Sequence, residues 1–232
     1  MAQNKLQRFA DIKRFENVLE RPVNMAGRWG TFFKNSNPII LELACGKGEY
    51  TVGLGQLYPN KNFIGVDIKG NRIWVGATYA LSKKLTNIAF LRTQIEVIDK
   101  YFAANEIDEI WITFPDPQLR NAKAKKRLTH PRFLRLYQNI LKEDGIVHLK
   151  TDSPLLYTFT KYVIEVLKLN LLQDIEDLYA LHAVHPTLNI KTHYEGLDIA
   201  QSNQVHYLSF TISKPLEKDN FVKEWRYEAT TC

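Results

Sequence analysis

The residues of this chain best suited to chemistry stand in short polar stretches that each follow an apolar run. The first is Glu42-Leu43-Ala44-Cys45-Gly46-Lys47-Gly48. Glycines at 46 and 48 let a backbone approach a ligand closely and present amide donors where a helix begins. A dinucleotide loop of the form G-x-G-x-x-G needs a third glycine, and Thr51 stands there instead. Glu42, just before the loop, is also a poor neighbour for a diphosphate. A group carrying an ammonium and a carboxylate suits both features, with Glu42 facing the cation and the loop amides the anion. The methionine portion of S-adenosylmethionine is such a group. An ordinary glycine turn uses the same residues, so this loop does not decide the matter alone.

Asp67 ends the next apolar run, where an acid can accept both hydroxyl hydrogens of an adenosine ribose. A helix cap for the segment starting at Gly70 is the structural alternative. Gln94, after a third run, can bond an exocyclic adenine amine or simply open a helix. Phe114-Pro115-Asp116-Pro117 is the most informative stretch. Two prolines around one aspartate restrict the backbone on both sides and remove two amide donors. They make a rigid platform that aims one carboxylate from the end of a strand. Asp152 precedes Ser153-Pro154, where Ser153 is the better helix cap and leaves Asp152 for a substrate contact. His185, His193 and His206 lack metal-ligand spacing, and Cys45 has no adjacent base, so neither a metal nor a cysteine nucleophile is expected.

Those stretches need elements to position them. Strands are expected at 38–43, 62–66, 88–91, 107–114 and 145–149, alternating with helical patterns at 49–57, 70–84, 95–102, from Pro131, and from Ser153-Pro154. Two further strand candidates lie at 171–179 and 205–213. Such alternation implies right-handed βαβ crossovers and a doubly wound, mostly parallel α/β sheet, helices on both faces, with an antiparallel strand at its C-terminal end. Ligands in such folds lie beyond the carboxyl ends of the strands, where all five polar stretches fall.

The 232 residues carry 31 Lys and Arg against 25 Asp and Glu, a net charge of +6. Seven of those basic groups lie in residues 1–34, against three acidic ones, and seven more in 118–135 with no acid. Two basic zones on a mildly acidic body point to a polyanion such as nucleic acid. Composition is ordinary for a globular protein, with 45% hydrophobic and 24% charged residues. No apolar run nears the roughly 20 residues of a bilayer span, and the first twenty residues contain no signal-peptide core. A cytoplasmic chain away from membranes is expected, and with only Cys45 and Cys232 no disulfide framework.

In order and spacing, Glu42-Leu-Ala-Cys-Gly-x-Gly, Asp67, Phe114-Pro115-Asp116-Pro117, Thr151-Asp152 and Thr192-His193-Tyr194-Glu195 resemble the bacterial tRNA (guanine-N7-)-methyltransferases. The similarity runs from about Pro38 to Thr211. It implies a Rossmann-like enzyme that moves a methyl group from S-adenosylmethionine to N7 of a guanosine in the tRNA variable loop. It further implies that Glu42, Gly46, Gly48, Asp67, Gln94 and Asp116 line the cofactor site, with Asp116 catalytic. Arg120, Asp152 and Thr192 to Glu195 are implied substrate contacts, and Lys123 to Arg127 is expected to track RNA phosphates. Ala44, Gln94, Gln118 and Arg120 depart from the residues usual in that family. The resulting division is a basic lead-in at 1–34, a methyltransferase domain at 35–215 and a tail at 216–232. Monomer and homodimer stay open, as does the order of the lead-in before RNA binds. A methyltransferase with another substrate, or a non-catalytic RNA-binding protein, are the alternatives.

Overall fold

Runs such as Ile39-Ile40-Leu41-Glu42-Leu43 have apolar side chains on both faces, which suits a strand covered on both sides. A computed structural model describes residues 2–193, 195, 204–212 and 215–216 and shows this arrangement. Strands β1 (Val18–Glu20), β2 (Ile39–Leu43), β3 (Asn62–Asp67), β4 (Ile88–Arg92), β5 (Ile107–Thr113), β6 (Leu141–Thr151), β7 (Asn170–Ile175) and β8 (His206–Thr211) form one sheet in the order β1-β4-β3-β2-β5-β6-β8-β7. The pairings from β1 to β6 are parallel. β8 inserts antiparallel between β6 and β7, filling the gap left by the crossover that joins them. The expected fold class is the observed one.

Helices α2 (Trp29–Phe33), α5 (Pro131–Ile140) and α6 (Pro154–Val166) bury Trp29, Phe133, Tyr137, Leu156 and Phe159 against one face of the sheet. Helix α3 (Glu49–Leu57) packs Tyr50 and Leu54 on Ile40, Phe63 and Trp111 of the other face. Beside it, α4 (Gly70–Ser82) packs Ile73, Ala77 and Ala80 on Ile88 and Phe90. Local signals set the helix starts. Ser153 caps α6, its Oγ accepting from the Leu156 amide at 3.3 Å, and proline takes the first turn of both α5 and α6.

Three departures from the sequence reading have local causes. Residues 95–102 form a 3₁₀ turn at Ile95–Lys100 rather than an α-helix, with Val97 outside helical geometry. Ile95 and Ile98 lie three apart, the spacing at which a 3₁₀ turn stacks side chains. β7 stops at Ile175, and Leu178–Ala180 make a separate turn whose Asp177 carboxylate accepts from the Tyr179 amide at 3.1 Å. Residues 2–34 contribute α1 (Ala2–Ile12), β1 and α2 to the folded body. Ile12 and Phe9 of α1 pack so closely on Gly70 that a Cβ there would lie 2.5 Å from Ile12. β1 and α2, with three and five residues, have too few periodic positions to show in a sequence.

Candidate active site

Glu42 is the centre of the buried polar structure at the strand ends, only 3% exposed. Its Oε2 accepts the Thr51 amide at 2.8 Å and also the Thr51 hydroxyl, while Oε1 accepts the Thr113 hydroxyl at 2.6 Å. One carboxylate therefore joins the first turn of α3 to the last residue of β5. Burial pushes its pKa up to about 7, against the pull of the two threonines. Thr51, which breaks the dinucleotide pattern in the sequence, is here a donor to Glu42.

The glycine loop wraps over this carboxylate. Gly46 and Gly48 have φ of 57° and 74°, and a Cβ on Gly48 would strike Phe90 at 2.5 Å. The Gly46 amide donates to Asp67 Oδ2 at 3.0 Å, and the Gly48 amide donates to the Cys45 carbonyl at 2.8 Å. Asp67 Oδ1 accepts the Lys69 amide at 2.7 Å. Asp67 thus fastens the loop to the end of β3 while keeping lone pairs on both oxygens for further donors. Ala44 also has φ of 58°, an uncommon value for a residue with a Cβ.

Asp67 and Gln94 meet in one cavity of about 310 Å³. Ala44, Thr93, Leu128 and Phe133 form further walls, and Lys126 stands at its edge. Glu96 also lines it, and largely apolar walls with acids and an amide fit the adenosine part of S-adenosylmethionine. A larger cavity, about 470 Å³, lies on the α3 face over Trp111, His148 and Tyr207. Its charged lining groups Lys61 and Glu109 already pair at 2.9 Å.

Asp116 stands exposed on the loop after β5, with Oδ1 accepting the Gln118 amide at 3.0 Å. Phe114 and Gln118 on either side have φ of 45° and 50°. Arg120 is exposed at the start of the Asn121–Lys126 turn, on which Lys123, Lys125 and Lys126 are also exposed. Arg127 is not, at 0% exposure, and so departs from its expected place on the RNA-facing surface. Asp152 is half-buried after β6.

Thr192, His193 and Glu195 lie on a segment held against α3 and β6. The His193 amide donates to Glu49 Oε2 at 3.0 Å, and the Glu195 amide donates to Thr192 Oγ1 at 3.3 Å. Lys150, fully buried at the end of β6, pairs with Glu195 at 3.1 Å and donates to the carbonyls of Leu188 at 2.8 Å and Ile190 at 3.0 Å. Burial lowers the Lys150 pKa and the Glu195 carboxylate opposes that. Tyr179 donates its hydroxyl to the same carboxylate. Tyr194 lies outside the described residues.

Residues 36–208 match a family model described as putative methyltransferase. The chain is 48% identical over 221 residues to the tRNA (guanine-N(7)-)-methyltransferase of Bacteroides thetaiotaomicron, covering 91% of this chain and 87% of that one. It is 51% identical over 193 residues to the protein of the same name from Porphyromonas gingivalis, covering 82% and 78%. The chain belongs to the tRNA (guanine-N7-)-methyltransferase family. A solved 16S rRNA methyltransferase, KamB, shares the fold with a TM-score of 0.63 at 12% identity, covering 85% of this chain and 99% of that one.

As a member of that family the chain keeps its polar stretches at the strand ends, yet several structural residues escape a sequence reading. Thr51, Thr113 and Lys150 bond to Glu42 or Glu195 across 9, 71 and 45 positions of chain. Nothing local marks them. Among the described residues no group of three or more His, Cys, Asp or Glu could hold a metal ion, and no helix is long and apolar enough to cross a membrane.

Proposed function

We propose that this chain transfers the methyl group of S-adenosylmethionine to N7 of a guanosine in the variable loop of tRNA. The observation that carries the reading is identity of 48–51% with tRNA (guanine-N(7)-)-methyltransferases over 82–91% of this chain. It gains support from the cavity that joins Asp67 to Gln94, with an exposed basic turn at its edge. The methyltransferase domain then spans 35–215, with 1–34 as lead-in and 216–232 as tail, and the tRNA substrate puts the reaction in the cytoplasm.

S-adenosylmethionine supplies an electrophilic methyl group on a cationic sulfur. In the proposed site Asp67 accepts from the ribose hydroxyls, Gln94 bonds the adenine amine, and Gly46 and Gly48 keep side-chain atoms away from the ligand. Glu42 faces the methionine ammonium. Guanine N7 carries a lone pair and no proton, so the protein needs no general base. The base becomes positively charged as N7 is alkylated. A fixed Asp116 carboxylate beside the ring stabilises that charge and accepts the N1–H and N2–H hydrogens. Arg120, Asp152 and the 192–195 segment position the nucleotide, which a loop presents unstacked. Lys123, Lys125 and Lys126 neutralise backbone phosphates.

The deciding experiment is methyl transfer to tRNA carrying 7-deazaguanosine at the variable-loop position. That base lacks only the nucleophilic nitrogen, and labelling is expected to vanish. Undiminished labelling means that another atom is the target.

A further inference from the structure

The basic segment after the Asp116 loop contains one residue whose environment contradicts its company. Lys123, Lys125 and Lys126 are exposed, whereas Arg127 is fully buried. Its Nε–H donates to the Pro117 carbonyl at 3.2 Å and its Nη2 to the Gln118 carbonyl at 3.1 Å. The guanidinium lies 4.5 Å from the ring centroid of Phe159 in α6, a cation–π distance.

The loop it touches needs an outside hold. Phe114 and Gln118 adopt left-handed φ without being glycine, and such strained conformations persist only where the surroundings impose them. Pro115 and Pro117 have no N–H, so the loop lacks two of the donors with which a turn would knit itself together. β6 secures one side, where the Phe114 amide donates to the Lys150 carbonyl at 2.8 Å. On the other side Arg127 grips two successive carbonyls, immediately after Asp116.

We propose that Arg127 is a positioning residue for the reaction: its guanidinium fixes the Pro117 and Gln118 carbonyls and thereby aims the Asp116 carboxylate, and it does not contact tRNA. This rests on the function proposed above. A planar fork reaches two adjacent carbonyls at once, which a lysine ammonium on a flexible stem does not reproduce. Burial lowers the Arg127 pKa only to about 10, so the charge is present at neutral pH.

The test is Arg127→Lys in the full chain, with Lys125→Gln as the reference for an exposed phosphate contact. Single-turnover and steady-state kcat at saturating tRNA, the Kd for S-adenosylmethionine, and the salt dependence of tRNA binding are measured for each. The expected result for Arg127→Lys is a kcat lower by about 10²-fold, the scale of a misplacement near 1 Å. Its Kd for S-adenosylmethionine and its salt slope stay at the wild-type values. Lys125→Gln is expected to reduce the salt slope by about 1, the signature of a lost phosphate contact. A second variant, Arg127→Ala, should regain kcat when guanidinium ion is added at millimolar concentration.

An Arg127→Lys protein with normal kcat and a salt slope reduced by about 1 is a phosphate contact and overturns the proposal. Loss of kcat together with S-adenosylmethionine binding, without guanidinium rescue in Arg127→Ala, identifies a merely structural residue and also overturns it. Wild-type protein that fails to methylate tRNA overturns the function itself, and this inference with it. A normal wild type beside an undisturbed Arg127→Lys sinks this inference alone.

Discussion

Glu42→Gln offers the sharpest probe of the buried centre. The wild-type carboxyl titrates near 7 in the folded chain, against 4.5 for the ordinary group, because burial disfavours its charge. Between those two values the folded protein holds a proton that the unfolded chain has released. Wild-type stability therefore falls as pH rises through that window, the sign expected for an acid with a raised pKa. At about 1.4 kcal/mol per pKa unit, the loss between pH 5 and pH 8 is about 2–3 kcal/mol. Glutamine fits the same space and keeps the network, its oxygen accepting from Thr51 and its amide donating to the Thr113 hydroxyl. It has no proton to lose. Urea unfolding of both proteins at constant salt should show the variant gaining about 2–3 kcal/mol on wild type from pH 5 to pH 8. Parallel curves across that range refute the raised pKa. The ligand gives a second measure. A cation facing Glu42 selects the ionised form, so S-adenosylmethionine affinity should rise about tenfold between pH 6 and pH 8 in wild type, following the ionised fraction of a group near 7. In the variant the pH dependence should be flat, and a flat wild-type profile removes Glu42 from the ammonium site.

Asp116→Ala should lower kcat by about 10²–10³-fold, the scale of losing one preorganised polar group, and near-normal turnover refutes its catalytic role. Ala44→Gly should raise stability in urea by about 1 kcal/mol, because a Cβ at φ of 58° is strained; no change refutes that strain. Lys150→Met leaves the Glu195 carboxylate buried beside Tyr179 with only the exposed Lys191, 3.9 Å away, as a cation. The loss should be about 1–3 kcal/mol, seen as a lower urea midpoint and as protease cleavage between 188 and 195; wild-type resistance shows that the ion pair does not hold the segment. Lys123, Lys125 and Lys126 all changed to Gln should reduce the slope of log Kd for tRNA against log salt by about 2, whereas an unchanged slope makes them ordinary solvated surface.

The separation between what is local and what is distant in the chain explains how much of this protein its sequence discloses. Periodicity and punctuation settle each element by itself. Continuous apolar runs become strands buried on both faces, Ser153-Pro154 opens α6, and the Pro-Asp-Pro turn ends β5 with Asp116 beyond it. Strand-helix alternation then dictates the parallel sheet, and the rule that ligands lie at the carboxyl ends of strands gathers Glu42, Asp67, Gln94, Asp116 and Asp152 at one edge. Pairing across the chain is another matter. Whether Thr51 and Thr113 both bond to Glu42, whether Lys150 meets Glu195, and whether Arg127 turns inward while three lysines beside it turn out depend on packing between separate elements, 9 to 71 positions apart. A basic side chain has the same charge in both settings. Only burial and the direction of its donors, which exist once the sheet and α6 have assembled around it, separate a clamp from a phosphate contact.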